Sequence, residues 1–161
     1  MTIRWTKSLL VVLAALYALL AGIDNVVDYQ ANFPFVQHVL MMDTTFRAPS
    51  VMSRAITSPW LHHAAFVSII VAEIGVGLIA GFGALRMMMA GRDVRAFAAA
   101  KDIASVGLML AVFIWFGGFL VIAGEWFVMW QSSQYNAQAA AFQYVVPYLL
   151  ILAIVLQPEH K

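Results

Sequence analysis

The sequence predicts an all-α fold: a four-helix transmembrane bundle with a long external loop that contains a short amphipathic helix. Composition is the first observation behind this, since 63% of the 161 residues are hydrophobic and only 11% are charged, where a soluble domain carries about a quarter charged residues. The second is that four apolar segments approach the length of about 20 residues that crosses a hydrocarbon layer of about 30 Å. Even spacing and short connectors are the third, and they favour antiparallel neighbours. The segments run over residues 5–27, 59–85, 101–125 and 138–156, within one integral membrane domain covering 1–161.

The first segment follows Arg4 and Lys7 with an apolar run from Leu9 to Ala21, a pattern shared with secretory signal peptides. The cleavage pattern is poor, because Leu16 and Leu19 stand two residues before Ala18 and Ala21. A retained helix is expected. The second segment opens at Ser58-Pro59, a capping residue followed by a proline that needs no backbone N–H in the first turn. Gly91 is a suitable stop for that helix, and Asp93 can cap an extension of the third. Asn136, after Ser132 and Ser133, opens the fourth.

Orientation follows from Lys and Arg, which accumulate in short cytoplasmic segments. Arg4, Lys7, Arg86, Arg92, Arg95, Lys101 and Lys161 fall on one side, and Arg47 and Arg54 on the other. Seven against two places both termini in the cytoplasm, which for a bacterial chain means a multi-pass protein of the inner membrane. Trp5, Trp60, Trp126 and Trp130 stand near helix ends, where amphipathic rings favour the headgroup level. The external connector from Asp24 to Ser58 is too apolar for a floppy linker, and residues 34–42 suit a short helix lying on the bundle or the membrane surface.

The chain has no cysteine, which excludes disulfides, thiolate metal sites and a cysteine nucleophile. A net charge of +1 gives no ground for a nucleic-acid partner. Glu73 is the sharpest chemical signal: it stands 14 residues from Pro59 and 13 from Arg86, so counting places it near the bilayer midplane. An ionised carboxylate there costs several kcal/mol, so Glu73 should face the bundle interior and find hydrogen-bond partners. Tyr17, Trp115 and Tyr148 fall at the same depth by the same counting and complete the expected intramembrane polar site. Two readings stay open: a site that handles a proton, cation or ligand, and a structural hydrogen bond between helices.

Gly77 and Gly81 form a small-xxx-small pair that lets two helix backbones approach closely, within the bundle or against another subunit. Pro147 removes the hydrogen bond to the carbonyl of Gln143 and can bend the fourth helix beside Tyr148. His38, His62 and His63, with Asp24, Asp28 and Asp43, could supply metal ligands, but their spacing matches no compact ligand motif. Capping and interfacial roles are the simpler account. Arg47 and Arg54 face the external acids, where ion pairs would order the loop.

The residues Asn25-Val-Val-Asp28-Tyr29, Asn32, Phe35-Val-Gln-His38-Val-Leu40, Asp43-Thr-Thr-Phe46 and Arg54-Ala-Ile56, together with Glu73, resemble a bacterial domain-of-unknown-function family of predicted small integral membrane proteins. The resemblance covers most of the chain and centres on residues 24–75. It implies four spans and brings no activity. It also implies that the characteristic polar residues gather in the external loop, with Asp28, Asn32, His38, Asp43 and Arg54 as a polar cluster over the bundle mouth and Glu73 below.

Three functions are compatible with these features. The first is a non-enzymatic accessory or assembly subunit of an inner-membrane complex, suggested by small size, the glycine-lined second helix and the lack of a catalytic constellation. Its expected partners are the lipid bilayer and either another membrane protein or a second copy. The second is a small carrier or ion-coupled binding protein that uses Glu73. The third is a metal-dependent enzyme working at the outer face through the histidines and aspartates. No cofactor and no catalytic residue is specified by the sequence.

Overall fold

The computed structural model describes residues 2–159, so Lys161, one of the seven cations counted above, lies outside the described residues. Among the described residues there are five α-helices and no strand: α1 (Thr2–Val27), α2 (Tyr29–Met41), α3 (Pro59–Ala90), α4 (Val94–Val112) and α5 (Gln138–Leu156). The helix of α4 runs on without a break into a π-helical segment, Phe113–Trp126. Four stretches, Ile3–Val27, Pro59–Ala90, Val94–Trp126 and Gln138–Leu156, are long and apolar enough to cross a membrane. The protein is a multi-pass integral membrane protein.

Local sequence explains where the helices begin and end. Pro59 starts α3 through its fixed φ, since the side chain of Ser58 makes no capping bond. Gly91 ends α3 with φ of 54°, a left-handed value that a glycine adopts without steric cost. Two residues later the carboxylate of Asp93 accepts from the N–H groups of Arg95 and Ala96 at 2.9 and 3.0 Å, which begins α4. The second and third spans therefore run closer together than the expected 85 and 101. Hydropathy marks where charges start, whereas a helix ends where its backbone meets a stop or a cap. Asn136 serves α5 from one residue outside, its Oδ1 accepting from the N–H of Gln138 at 3.0 Å.

The segment α2 is the short helix expected in the external loop. It follows α1 after the single residue Asp28 and buries Phe33, Val36 and Val39. Phe33 and Val36 pack with Phe66 and Ile70 of α3, while Val39 joins Met42, Phe127, Val128 and Met129 beyond the π-helical segment. The connector is thereby fastened to the bundle.

Lipid offers no hydrophobic reward for helix association, so small residues that allow close backbone approach decide the packing. α3 is the central helix. A Cβ on Gly77 would stand 2.3 Å from Leu19 Cγ and 3.0 Å from the carbonyl oxygen of Ala15, so this glycine seats α1. Gly81 faces the same helix less tightly, with Ala15 Cβ 3.7 Å from its virtual Cβ. The contact with α4 is reciprocal: a Cβ on Gly83 would meet the backbone nitrogen of Ala104 at 2.5 Å, and one on Gly107 would meet that of Ala80 at 2.6 Å.

At the end of the bundle that holds both termini, a cluster of charges joins three elements. Nζ of Lys7 in α1 donates to the carbonyl of Gln157 and to Glu159 Oε1, both at 2.7 Å. Lys101 of α4 donates to the same two acceptors, at 2.7 and 3.3 Å. Arg4 completes the cluster, with its Nε 3.5 Å from Glu159 Oε2 and a second nitrogen donating to the carbonyl of Gly91 at 3.2 Å. Burial alone would push the Glu159 carboxyl up, but the hydrogen bonds and charges of Lys7 and Lys101 outweigh it and hold the group below its ordinary value of 4.5.

Two expectations follow. Gly83→Ala forces a methyl group against backbone and should cost about 1–3 kcal/mol, whereas Gly81→Ala should stay within about 0.5 kcal/mol of wild type. Unfolding in mixed micelles with rising dodecyl sulfate measures both. Because the Glu159 carboxyl is depressed in the folded state, its contribution is present above pH 4.5 and fades as pH falls through and below that value. Glu159→Gln should therefore lower the thermal midpoint at pH 7, and the gap from wild type should close on acidification.

Candidate functional site

At the opposite end of the bundle, Glu73 of α3 is buried, with 2% of its surface exposed. Nδ2 of Asn25 donates to Glu73 Oε2 at 2.9 Å, and Oδ1 of Asn25 accepts from Nδ2 of Asn32 at 2.8 Å. A relay of two amides thus reaches from α2 through the last turn of α1 to the carboxyl group. The close approach depends on Gly22, one turn before Asn25, where a Cβ would stand 2.8 Å from Ile74 Cγ1 and 3.3 Å from Glu73 Cβ. The Asn25 bond is the one hydrogen bond that Glu73 makes among the described residues, and only its Oε2 is used.

Glu73 lies level with Asn25, two residues before α1 ends at Val27. The 32 residues of α3 extend about 48 Å at about 1.5 Å each, longer than a hydrocarbon layer of about 30 Å.

Glu73 lines a cavity of about 290 Å³ together with Asp24, Asn25, Asn32, Trp115 and Tyr144. Its remaining walls are apolar and aromatic, and no Lys, Arg or His takes part. Of the residues expected around Glu73, Trp115 reaches this cavity. Tyr17 and Tyr148 are not among its lining residues: the hydroxyl of Tyr148 donates to the carbonyl of Ala14 at 3.1 Å, one step deeper in the bundle. Tyr17 stacks on Tyr144 at 5.0 Å between centroids, Tyr144 on Trp115 at 4.0 Å, and Trp115 on Phe119 at 4.8 Å. From Tyr144 to Phe119 this aromatic column forms one side of the cavity.

The π-helical winding of Phe113–Trp126 is what presents Trp115 and Phe119 there. Its N–H groups bond five residues back, as Phe127 still does to Ile122 at 3.0 Å. Such winding is rare and favours functional positions. No feature of the sequence beyond the pair Gly117-Gly118 marks it. Asn25 and Tyr144 were the residues missed in reading the sequence for a site. Asn25 does belong to the motif that carries the family resemblance, whereas Tyr144 had no signal apart from its place four residues before Tyr148.

The polar cluster expected over the bundle mouth divides. Asn32 belongs to the Glu73 relay, while Asp28 is exposed at the start of α2 and makes no side-chain capping bond. His38 and Asp43 pair with each other at 2.8 Å, and the imidazole stacks on Tyr135 at 4.4 Å. Arg54 donates to the carbonyl of Trp126 at 3.2 Å and lies over its ring. The remaining histidines have separate duties. His62 is buried with Nε2 against the carbonyl of Ile56 at 2.8 Å, and His63 bonds the Tyr29 hydroxyl and stacks on Phe33 at 4.1 Å. Among the described residues no three His, Asp or Glu side chains converge as metal ligands.

The arrangement offers a ligand the buried carboxyl group of Glu73, held from behind by an amide, in a cavity that Asp24 and Asn32 also line and whose other walls are aromatic and apolar. No curated protein and no solved structure matches the chain. A family model does, over residues 3–158, and its description is predicted small integral membrane protein (DUF2165). With nearly the whole chain matched and four apolar spans in place, the protein belongs to that family of small integral membrane proteins.

Proposed function

We propose that the protein is a small carrier or binding protein of the membrane that receives a cation, or a ligand bearing a cationic group, at Glu73. The observation that carries this reading is the buried carboxyl itself, anchored through Oε2 to Asn25 on the wall of a cavity with no basic side chain in its lining. A buried carboxylate needs a counter-charge or a proton. In this cavity it has neither an arginine nor a lysine, so a proton and a cationic ligand can alternate on it.

The accessory-subunit reading drew on small size, the glycines of α3 and the lack of a catalytic constellation. Of those glycines, Gly77 and Gly83 are taken up by α1 and α4 of the same chain, which weakens them as a docking face. The metal-dependent enzyme loses its support in turn, because His38, His62 and His63 each engage a different neighbour.

The surroundings of the proposed carrier follow from charge. We place both termini in the cytoplasm of a bacterial cell, with the Glu73 cavity opening toward the outer face of the inner membrane. The support is the excess of Lys and Arg at the terminal end. Since the chain has no cysteine, single reporters can be introduced cleanly. Ser133→Cys should react with a membrane-impermeant maleimide on intact cells, and Arg92→Cys only after permeabilisation; the reverse pattern inverts the topology.

The central test is Glu73→Gln, which keeps the shape and the Asn25 contact but removes the charge. Binding of tetramethylammonium, measured by equilibrium dialysis, should weaken at least about tenfold, a difference of about 1.4 kcal/mol, with helix content and elution volume unchanged. A variant that loses only thermal stability and keeps its binding would make Glu73 a structural interhelical contact.

A further inference from the structure

A second cavity, of about 350 Å³, lies beside the first, between α2, α3 and the π-helical segment. Its lining is almost wholly carbon and includes Leu40, Ala72, Ile114 and Gly118. The two cavities share four residues, Phe35, Val36, Ile69 and Phe119. The two are therefore neighbours, with the rings of Phe35 and Phe119, centroids 6.1 Å apart, on the wall they share. One half is acidic and the other is apolar.

We infer that the ligand is a single-chain amphiphile with a cationic head, whose head group lies at Glu73 and whose alkyl chain lies in the groove beside Gly118. This rests on the reading of Glu73 given above and names the chemical class of its ligand. Charge complementarity selects the head: the polar lining consists of Glu73, Asp24, two amides, a tyrosine and a tryptophan, with no cation to receive an anionic group. The carboxyl of Glu73 has an oxygen free of protein hydrogen bonds, and Asp24 is exposed at the same cavity.

The tail is selected by the groove. An apolar pocket alone would accept any hydrocarbon, but this one shares a wall with the carboxylate chamber, so a chain that starts at the charged head reaches it past the rings of Phe35 and Phe119. Its position also suits lateral entry. The groove is built on spans that face lipid, with Val71, Phe116 and Ile122 exposed beside or within it. A π-helical wall contributes by leaving Gly118 without side-chain neighbours: a Cβ there would meet only the carbonyl of Phe113, at 4.0 Å. Space at Gly118 is space for the chain.

The test uses the full chain in a neutral maltoside detergent and equilibrium dialysis of three radiolabelled probes: dodecyltrimethylammonium, tetramethylammonium and laurate. Uptake by Glu73→Gln protein in the same detergent is subtracted as micelle partition. Wild type should hold dodecyltrimethylammonium at least about tenfold more tightly than either other probe. Gly118→Leu, which puts a side chain into the groove, should abolish the advantage of the long chain and leave tetramethylammonium binding as it was. Ala72→Leu, on the opposite wall, gives the same block from α3 should Gly118→Leu fail to fold.

Four results would overturn the inference. If both cations bind equally well and both depend on Glu73, the groove takes no chain, while the Glu73 reading stands. The same conclusion follows if both groove variants retain the long-chain preference. If neither cation distinguishes wild type from Glu73→Gln, the Glu73 reading falls and takes the inference with it. Laurate binding as tight as that of the cationic amphiphile would show that charge does not choose the head.

Discussion

Close backbone approach along α3 is the constraint on which the rest of the bundle depends. Gly77 admits Leu19 and Ala15, and the pairs Gly83 with Ala104 and Ala80 with Gly107 bring α4 equally near. These contacts lie in the half of α3 that leads to the termini. In lipid they supply the van der Waals packing that a soluble bundle would obtain from an apolar core. The loop-side half is built from large rings instead. Tyr17, Tyr144, Trp115 and Phe119 stack along it, and rings of that size hold backbones apart. The cavity exists because the bundle is tight where its residues are small and open where they are aromatic.

That division also explains how Glu73 can be tolerated. It lies where α3 begins to separate from its neighbours, close enough to α1 for Asn25 to reach it and far enough from α4 and α5 to leave one side open. Gly22 sets the first of these distances. The polar end is thus positioned by the same device as the tight end, a missing Cβ, used once rather than repeatedly.

Much of the fold was legible because membrane spans announce themselves by composition and their ends by local chemistry. Pro59, Gly91 and Asp93 each act through their own backbone or side chain, so neighbours in sequence suffice to read them. The family resemblance and the four-span architecture were legible for the same reason. The partners of Glu73 were not, because they depend on which residues α1 and α2 bring to it, and nothing in a run of apolar residues carries that. Asn25 was placed at the end of the first span, but nothing in the sequence marked it as the partner of Glu73. Tyr144 was hidden because its place beside Trp115 is a contact between distant spans. Trp115 could be named by counting along the third span to the depth of Glu73.

The charge cluster at the terminal end carries a consequence for the order in which the protein is made. Lys7 and Lys101 share their acceptors on Gln157 and Glu159, and Lys101 precedes that carboxylate by 58 residues. During synthesis both lysines enter the membrane on helices that have no partner for them. Two of the bundle's few buried charges must wait, hydrated or held by lipid headgroups, until the fifth helix has been inserted. The end of the described chain thus holds its beginning, and this cluster can form only once residues 157–159 have been made.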